Sequence, residues 1–202
     1  MARPREFSEE DVLDAAVACF WRHGLGATSV RELAAEMGLN GPSLYNAFGD
    51  KRALFACALE RYAAHTMRER IRRLERETPV AAIRAYFDEL IARSLADADR
   101  RGCLIVNAAL EVAPHDAELG KLICGFLGEL EGFFRRCLER ARASRAIPAR
   151  VDPADTARLF LGLLLGLRVA ARARPERALL EGMVRPALAL LDHPDPGATG
   201  TA

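Results

Sequence analysis

Between Asn40 and Asn46 the chain reads N-G-P-S-L-Y-N, two amides and two hydroxyls with no charge among them. Such side chains pair with base edges and phosphate oxygens, and an asparagine can bond an adenine edge bidentately. Arg31, Lys51 and Arg52 flank the segment in sequence and are cations of the kind that meet phosphates. Catalysis finds no comparable support. His23, His65, His115 and His193 share no metal-ligand spacing, and no nucleophile elbow, phosphate-binding glycine loop or paired-carboxylate motif occurs. The chain is therefore read as a non-enzyme, with no catalytic residue, no metal and no cofactor.

Five cysteines, an odd number with no C-x-x-C pair and no run resembling a secretion signal, read as reduced thiols. Cys19, Cys57, Cys124 and Cys137 sit among apolar neighbours and are expected to behave as small hydrophobes. Cys103 differs. It follows Arg100, Arg101 and Gly102 at an expected helix N-terminus, where cations and the helix dipole both favour thiolate. It is the redox-sensing candidate; an inert, buried cysteine is the alternative reading.

These groups need elements to hold them. Ser29 followed three residues on by Glu32 is a capping box, so a helix starts there. Val30, Leu33, Ala34 and Met37 fall on one face, and Gly38 can end the helix in the left-handed conformation. Asn40 can cap the next helix, Pro42 is tolerated in its first turn, and Leu44 and Phe48 make its inner stripe. Pro42, Ser43, Tyr45, Asn46 and Ala47 then face outward. This is the layout of a helix-turn-helix, which places its short second helix in a major groove. Spacing alone fits a solvent-exposed helical hairpin equally well.

The stretch also resembles the N-terminal domain of the TetR family of bacterial transcriptional regulators. The likeness is carried by V-L-D-A-A-V-A-C-F-W-R-H-G at 12–24, by Thr28 and Ser29, and by L-Y-x-x-F-x-x-K at Leu44, Tyr45, Phe48 and Lys51. It covers roughly residues 8 to 60, about a quarter of the chain, in ordered submotifs at fixed spacing. The resemblance implies phosphate contacts from Thr28, Arg31, Tyr45 and Lys51. It implies base or groove contacts from Asn40, Gly41, Pro42, Ser43 and Asn46. Ala47 stands where the family often has histidine, so one backbone contact usual elsewhere is expected to be missing. The R-G-C-L segment around Cys103 is also similar to that of a subset of the family whose cysteine senses electrophiles or oxidants.

Net charge alone argues against nucleic acid. The chain of 202 residues carries only +1, and residues 1–52 hold six Lys or Arg against eight Asp or Glu. Placement restores the argument, because Glu9, Glu10 and Asp11 complement the dipole of a helix capped by Ser8, and 37–49 contains no acid. Weak non-specific binding and a dependence on dimerisation are expected. Arg3 and Arg5 can form a minor-groove arm or a disordered tail. The excess of 27 Arg over two Lys points to a GC-rich bacterial genome and says nothing of activity.

Downstream the pattern stays helical with no alternating strand segment, so the fold class is all-α. Asp50 caps a long helix to about residue 76, Thr78-Pro79 starts another, a shorter one runs from near Gly102 to before Pro114, and Asp116 opens a long one to about Ser144. Asp152-Pro153 and Pro175 open the last two. The expected domains are 1–52 for DNA binding, 53–192 for ligand binding and dimerisation, and a disordered tail at 193–202 rich in Pro and Gly. The longest apolar run, 159–167, is half the roughly 18 residues a spanning helix needs.

Residues 157–170 are apolar on nearly every side, so that helix should be buried all round. In the family, the resemblance implies, the last two helices form a four-helix bundle with their copies, which makes Leu161, Gly162, Leu165, Gly166, Leu179, Met183 and Leu188 the interface candidates; an intrachain core is the alternative. A kink is expected at Pro186. Ligand-pocket candidates are Tyr62, Tyr86, Phe87, Leu104, Asn107, Glu111, Phe126, Phe133 and Phe160, each of which also fits plain core packing. Asn107 stands out as an amide in an apolar run.

The reading that results is a cytoplasmic, homodimeric regulator, expected to be a repressor. It would bind double-stranded DNA at a palindromic operator and be released by an unknown small-molecule inducer or by thiol modification, with no membrane partner. The competing class is an α-helical ligand-binding or interaction protein that keeps the motif without binding DNA, supported by the mild acidity of residues 1–52 and by Ala47.

Overall fold

Ser29 accepts the Glu32 N–H at 3.1 Å while the Glu32 carboxylate accepts the Ser29 N–H at 2.8 Å, so the capping box closes as its spacing predicts. The computed structural model describes residues 9–192; the expectations for Arg3, Arg5, Ser8 and the 193–202 tail lie outside the described residues. Among these residues every regular element is helical, so the all-α class holds.

Helix α1 (Glu9–Ala27) breaks its regular path at Gly24, whose φ of 79° lies in the left-handed region. Helix α2 (Val30–Glu36) buries Leu33 and Ala34 and ends before Gly38, which takes φ 66° as the turn requires. Helix α3 (Gly41–Phe48) is capped by Asn40, whose Oδ1 accepts the Ser43 N–H at 2.8 Å. Leu44 is fully buried beneath it, and truncation there should cost about 2–5 kcal/mol. Asp50 then caps α4 (Lys51–Tyr62) through the Ala53 N–H at 2.7 Å.

The single long helix expected from Asp50 to about residue 76 is interrupted. A π-helical stretch, Ala63–Arg68, separates α4 from α5 (Glu69–Leu74). The Thr66 hydroxyl donates to the Tyr62 carbonyl at 2.6 Å. The inward set is unchanged, with Leu54, Phe55, Ala58, Leu59, Tyr62 and Met67 all buried. Helices α6 (Pro79–Ala96), α7 (Leu104–Glu111), α8 (Ala117–Ala143), α9 (Pro153–Ala173) and α10 (Arg177–Leu188) follow. Pro186 lies in the final turn of α10, before a short 3₁₀ turn, Ala189–Leu191.

Proximity divides the chain differently from the 52/53 division suggested by the motif. One compact unit joins the residues up to Glu69 with Cys103–Phe126; the other joins Arg70–Gly102 with the chain from Leu127 onward. The first unit therefore contains the helix-turn-helix together with α7 and the start of α8. Its core includes a Phe20–Phe55 edge contact at 4.9 Å and a Trp21–Tyr62 contact at 5.0 Å. The second is organised on an aromatic cluster of Tyr86, Phe87, Phe133, Phe134 and Phe160, with Phe87 and Phe134 stacked at 5.6 Å.

The expectation that the α9 helix is buried on every side fails for the single chain. Phe160, Leu164 and Leu167 are buried, but Leu159 is 48% exposed and Val169 51%. With Gly162 and Gly166 these residues form one open apolar stripe at helical spacing.

Candidate nucleic-acid interface

The buried Leu44 turns the opposite side of α3 outward. Pro42, Tyr45, Asn46 and Ala47 are exposed and Ser43 and Gly41 half-buried, so the uncharged face expected from the sequence stands free. Asn40 is exposed too, although its Oδ1 is spent on the cap and only its amide nitrogen remains to donate. Arg31 is exposed on α2.

Three of the expected phosphate contacts have other work. Thr28 is 1% exposed, and its hydroxyl donates to the Gly24 carbonyl at 2.5 Å, inside the fold. Lys51 places its ammonium 2.9 Å from both the Leu25 and the Thr28 carbonyls, where it satisfies acceptors left open at the end of α1. Arg52 forks onto Asp116, with Nε to Oδ2 and Nη2 to Oδ1 at 2.6 Å. Lys51 and Thr28 thus build the platform for α2 and α3.

The carboxylates that made the N-terminal charge unfavourable are largely engaged. Glu32 closes the capping box, and those hydrogen bonds from Ser29 hold its pKa below the ordinary value. Glu36 pairs with Arg22 at 3.2 Å, Asp50 caps α4, and Asp14 is forked by Arg61 at 2.7 and 2.8 Å. Asp116 is held well below the usual carboxylate range, first by Arg52 and then by the Leu119 N–H. These carboxylates are therefore each held by a donor of the fold.

Glu111, a ligand-pocket candidate by sequence, does something else. Its Oε1 accepts the Gly26 N–H at 2.8 Å, and a Cβ on Gly24 would lie 2.5 Å from its Oε2. Glycine at 24 thus serves both the positive φ and the approach of this carboxylate. Glu111 and Asp116 together tie the α7–α8 turn to the end of α1 and the start of α4. Sequence reasoning missed both ties, because neither partner is local.

The remaining pocket candidates fall into two groups. Tyr62, Leu104 and Phe126 are buried in the first unit, with the Arg68 guanidinium 5.5 Å above the Phe126 ring, and Asn107 is half-buried on α7. Tyr86, Phe87, Phe133 and Phe160 belong to the packed aromatic cluster of the second unit. A cavity of about 300 Å³ in that unit is lined by Arg84, Asp88, Ile91, Glu181, Val184 and Leu188, among others, and by none of the nine candidates.

Cys103 is the N-cap residue of α7, half-buried, with a side chain that makes no capping bond. Of the two cations expected to activate it, Arg101 is paired with Asp97 at 3.4 Å and Asp99 at 3.7 Å. Cys19 and Cys137 are buried, and burial raises both pKa values, that of Cys137 to about 11. Cys57 and Cys124 are exposed, contrary to the expectation that they pack as hydrophobes.

Among the interface candidates, Gly162 and Gly166 are exposed and Leu161, Leu165, Leu179 and Met183 half-buried. Leu188 is buried within its own chain and leaves that set. A Cβ on Gly166 would meet Met183 Cε at 3.7 Å, whereas one on Gly162 would meet nothing within 4 Å. Leu159, Val169 and Leu190, unremarked in the sequence, are the exposed large apolar residues of this region.

A capped three-helix N-terminal unit with a free, uncharged third helix defines a helix-turn-helix DNA-binding protein. The comparisons with known proteins agree. Residues 12–58 match the model described as bacterial regulatory proteins, tetR family, and residues 79–186 match that of the tetracyclin repressor-like C-terminal domain. An uncharacterized HTH-type transcriptional regulator of Bacillus subtilis, YezE, is 32% identical over 95% of this chain and 100% of its own length. The HTH-type transcriptional repressor ComR of Escherichia coli is 28% identical over 91% of this chain and 87% of its own. A cysteine mutant of the TetR family regulator CifR, solved in complex with 26bp double-strand operator DNA, superposes with a TM-score of 0.83 at 31% identity, covering 95% of this chain and 100% of that one. The chain belongs to the TetR family and is a DNA-binding transcriptional regulator, not an enzyme.

Proposed function

We propose that the protein is a cytoplasmic, homodimeric, one-component repressor that binds a palindromic operator through α3 of each subunit and is released by a small-molecule inducer. The observation that carries this reading is the outward face of α3, a helix without a charged side chain, on which Tyr45 and Asn46 are exposed and Ser43 half-buried, while Glu32 and Glu36 of α2 are bound to donors of the fold. ComR, a repressor, and CifR, which binds operator DNA, support it as relatives. No described helix is long and apolar enough to cross a membrane.

In this account Asn46, Ser43 and Pro42 read the groove, Tyr45 and Arg31 meet phosphates, and Lys51 fixes the geometry beneath them. The stripe of Leu159, Gly162, Gly166 and Val169 on α9, with Leu179 and Met183 on α10, pairs with its copy, because an exposed apolar face this long is costly in water. Release requires an inducer that binds the non-binding state more tightly. Movement of α7 reaches the motif through Glu111 on Gly26 and Asp116 on Arg52. Cys103, at the head of α7, is the thiol through which modification would act. A gel shift with the DNA upstream of its own gene tests the reading: a discrete complex that survives competitor DNA is expected, and its absence would leave the protein a ligand-binding relative without operator activity.

A further inference from the structure

The second unit holds an excess of positive charge that its own carboxylates do not match. Arg70 lies on the buried stripe of α5 and is 6% exposed. Its Nε is 3.3 Å from Glu89, but that carboxylate is gripped more closely by Arg73, at 2.6 and 2.8 Å. The Arg70 guanidinium lies 5.3 Å from the Tyr86 ring centroid, a cation–π contact.

Tyr86, Glu89, Leu90 and Arg93 share one face of α6, and Ser94 lies beside Arg93. Arg168 on α9 donates to the Ser94 hydroxyl oxygen at 3.3 Å, while that hydroxyl donates its own hydrogen bond to the Leu90 carbonyl at 2.7 Å. Ser94 is thereby turned into an acceptor for a cation. Burial depresses the Arg70 pKa, the charges of Arg93 and Arg168 add to the effect, and Tyr86 and Glu89 oppose it. Buried guanidiniums are stable when paired, and this one shares a single acid with a better-placed rival.

We propose that Arg70, Arg93 and Arg168 form a receptor for an organic anion bearing a carboxylate or phosphate, and that molecules of this class are the inducers of the protein. The proposal rests on the repressor reading for its consequence, though not for the binding itself. The guanidinium forks match planar carboxylates and phosphate oxygens. Exposure falls from Arg93, exposed, through Arg168, half-buried, to Arg70, buried. Tyr86 is buried, and its ring already meets the Arg70 guanidinium, so it holds that guanidinium in place. Each arginine belongs to a different helix, so an anion bound to all three would alter how α5, α6 and α9 are held.

The test is calorimetric titration of the full chain, in buffer free of phosphate, with naphthoate, naphthyl phosphate and the neutral isostere naphthalenemethanol. At least one anion should bind saturably and the alcohol much more weakly. Arg93→Gln and Arg168→Gln, neither of which is buried, should each weaken the anion by about tenfold, the loss of one charge-assisted hydrogen bond. Arg70→Lys should weaken it by losing the fork, and Arg70→Met more so. Thermal melting of each variant separates lost binding from lost fold. Acid and alcohol binding alike, no binding of either anion, or unchanged affinity in Arg93→Gln and Arg168→Gln would each overturn the proposal. Operator anisotropy on the same samples separates the failures: intact operator binding without anion binding sinks this receptor alone, whereas an operator-blind wild type sinks the repressor reading.

Discussion

Lys51 offers the sharpest division between two roles. If its ammonium served only phosphate, Lys51→Met would leave the free protein as stable as wild type and lower the salt dependence of operator binding by about one ion. The structure gives a different expectation. The ammonium sits 2.9 Å from the carbonyls of Leu25 and Thr28, and methionine keeps the aliphatic stem while removing both bonds. Hydrogen bonds from charged groups contribute about 1.5–3 kcal/mol each when sheltered. Lys51 is half-exposed and the freed carbonyls regain some water, so about 2 kcal/mol for the pair is the reasoned loss. For a chain of this size that lowers Tm by about 4–8 °C. Differential scanning calorimetry without DNA measures it, alongside operator affinity across a salt series. An unchanged Tm with a reduced salt slope would refute the capping role and restore the phosphate contact.

Asn46→Ala should weaken operator binding by about 1–3 kcal/mol and relax preference at one base position, read by anisotropy against singly substituted operators. Asp116 has a folded pKa depressed by Arg52, so the pair stabilises the protein above the unfolded carboxylate value near 4 and loses that contribution as pH falls below it. The stability gap between wild type and Asp116→Asn should accordingly be flat from pH 7 to about 5 and shrink below about 4, in urea melts at each pH. Limiting iodoacetamide with peptide mapping should label the exposed Cys57 and Cys124 early and Cys19 and Cys137 only on unfolding; a Cys103 that reacts no faster than Cys137 would remove it as a sensor. Leu159→Asp with Val169→Asp changes side chains that are already exposed, so the protomer should fold while sedimentation shows a weakened dimer.

What was legible in the sequence was local. The capping box at Ser29 and Glu32, the Asn40 cap, the turn at Gly38 and the buried Leu44 are written within a few residues of each other, and short-range rules recover them; Phe48, expected inward beside Leu44, is half-buried. The family followed from the same stretch. What stayed hidden joins residues far apart: Lys51 to Thr28, Glu111 to Gly26, Arg52 to Asp116, Arg168 to Ser94. Net charge misled for the same reason, since counting acids cannot show which are already bonded. Arg70 was detectable, because an arginine on the stripe of Met67, Ile71 and Leu74 is an anomaly in helical spacing. The open face of α9 was misjudged because an all-round apolar helix must be covered, but the covering need not come from its own chain.

The central claim is that α3 of two paired subunits reads a symmetric operator. Hydroxyl-radical footprinting of the DNA upstream of the gene, with wild type beside Asn46→Ala, tests it directly. Two protected stretches of backbone related by a dyad, flanking two successive major grooves about one helical turn apart, are expected, with fainter protection by the variant. Protection of a single patch, or none above that given to an unrelated duplex, would contradict it.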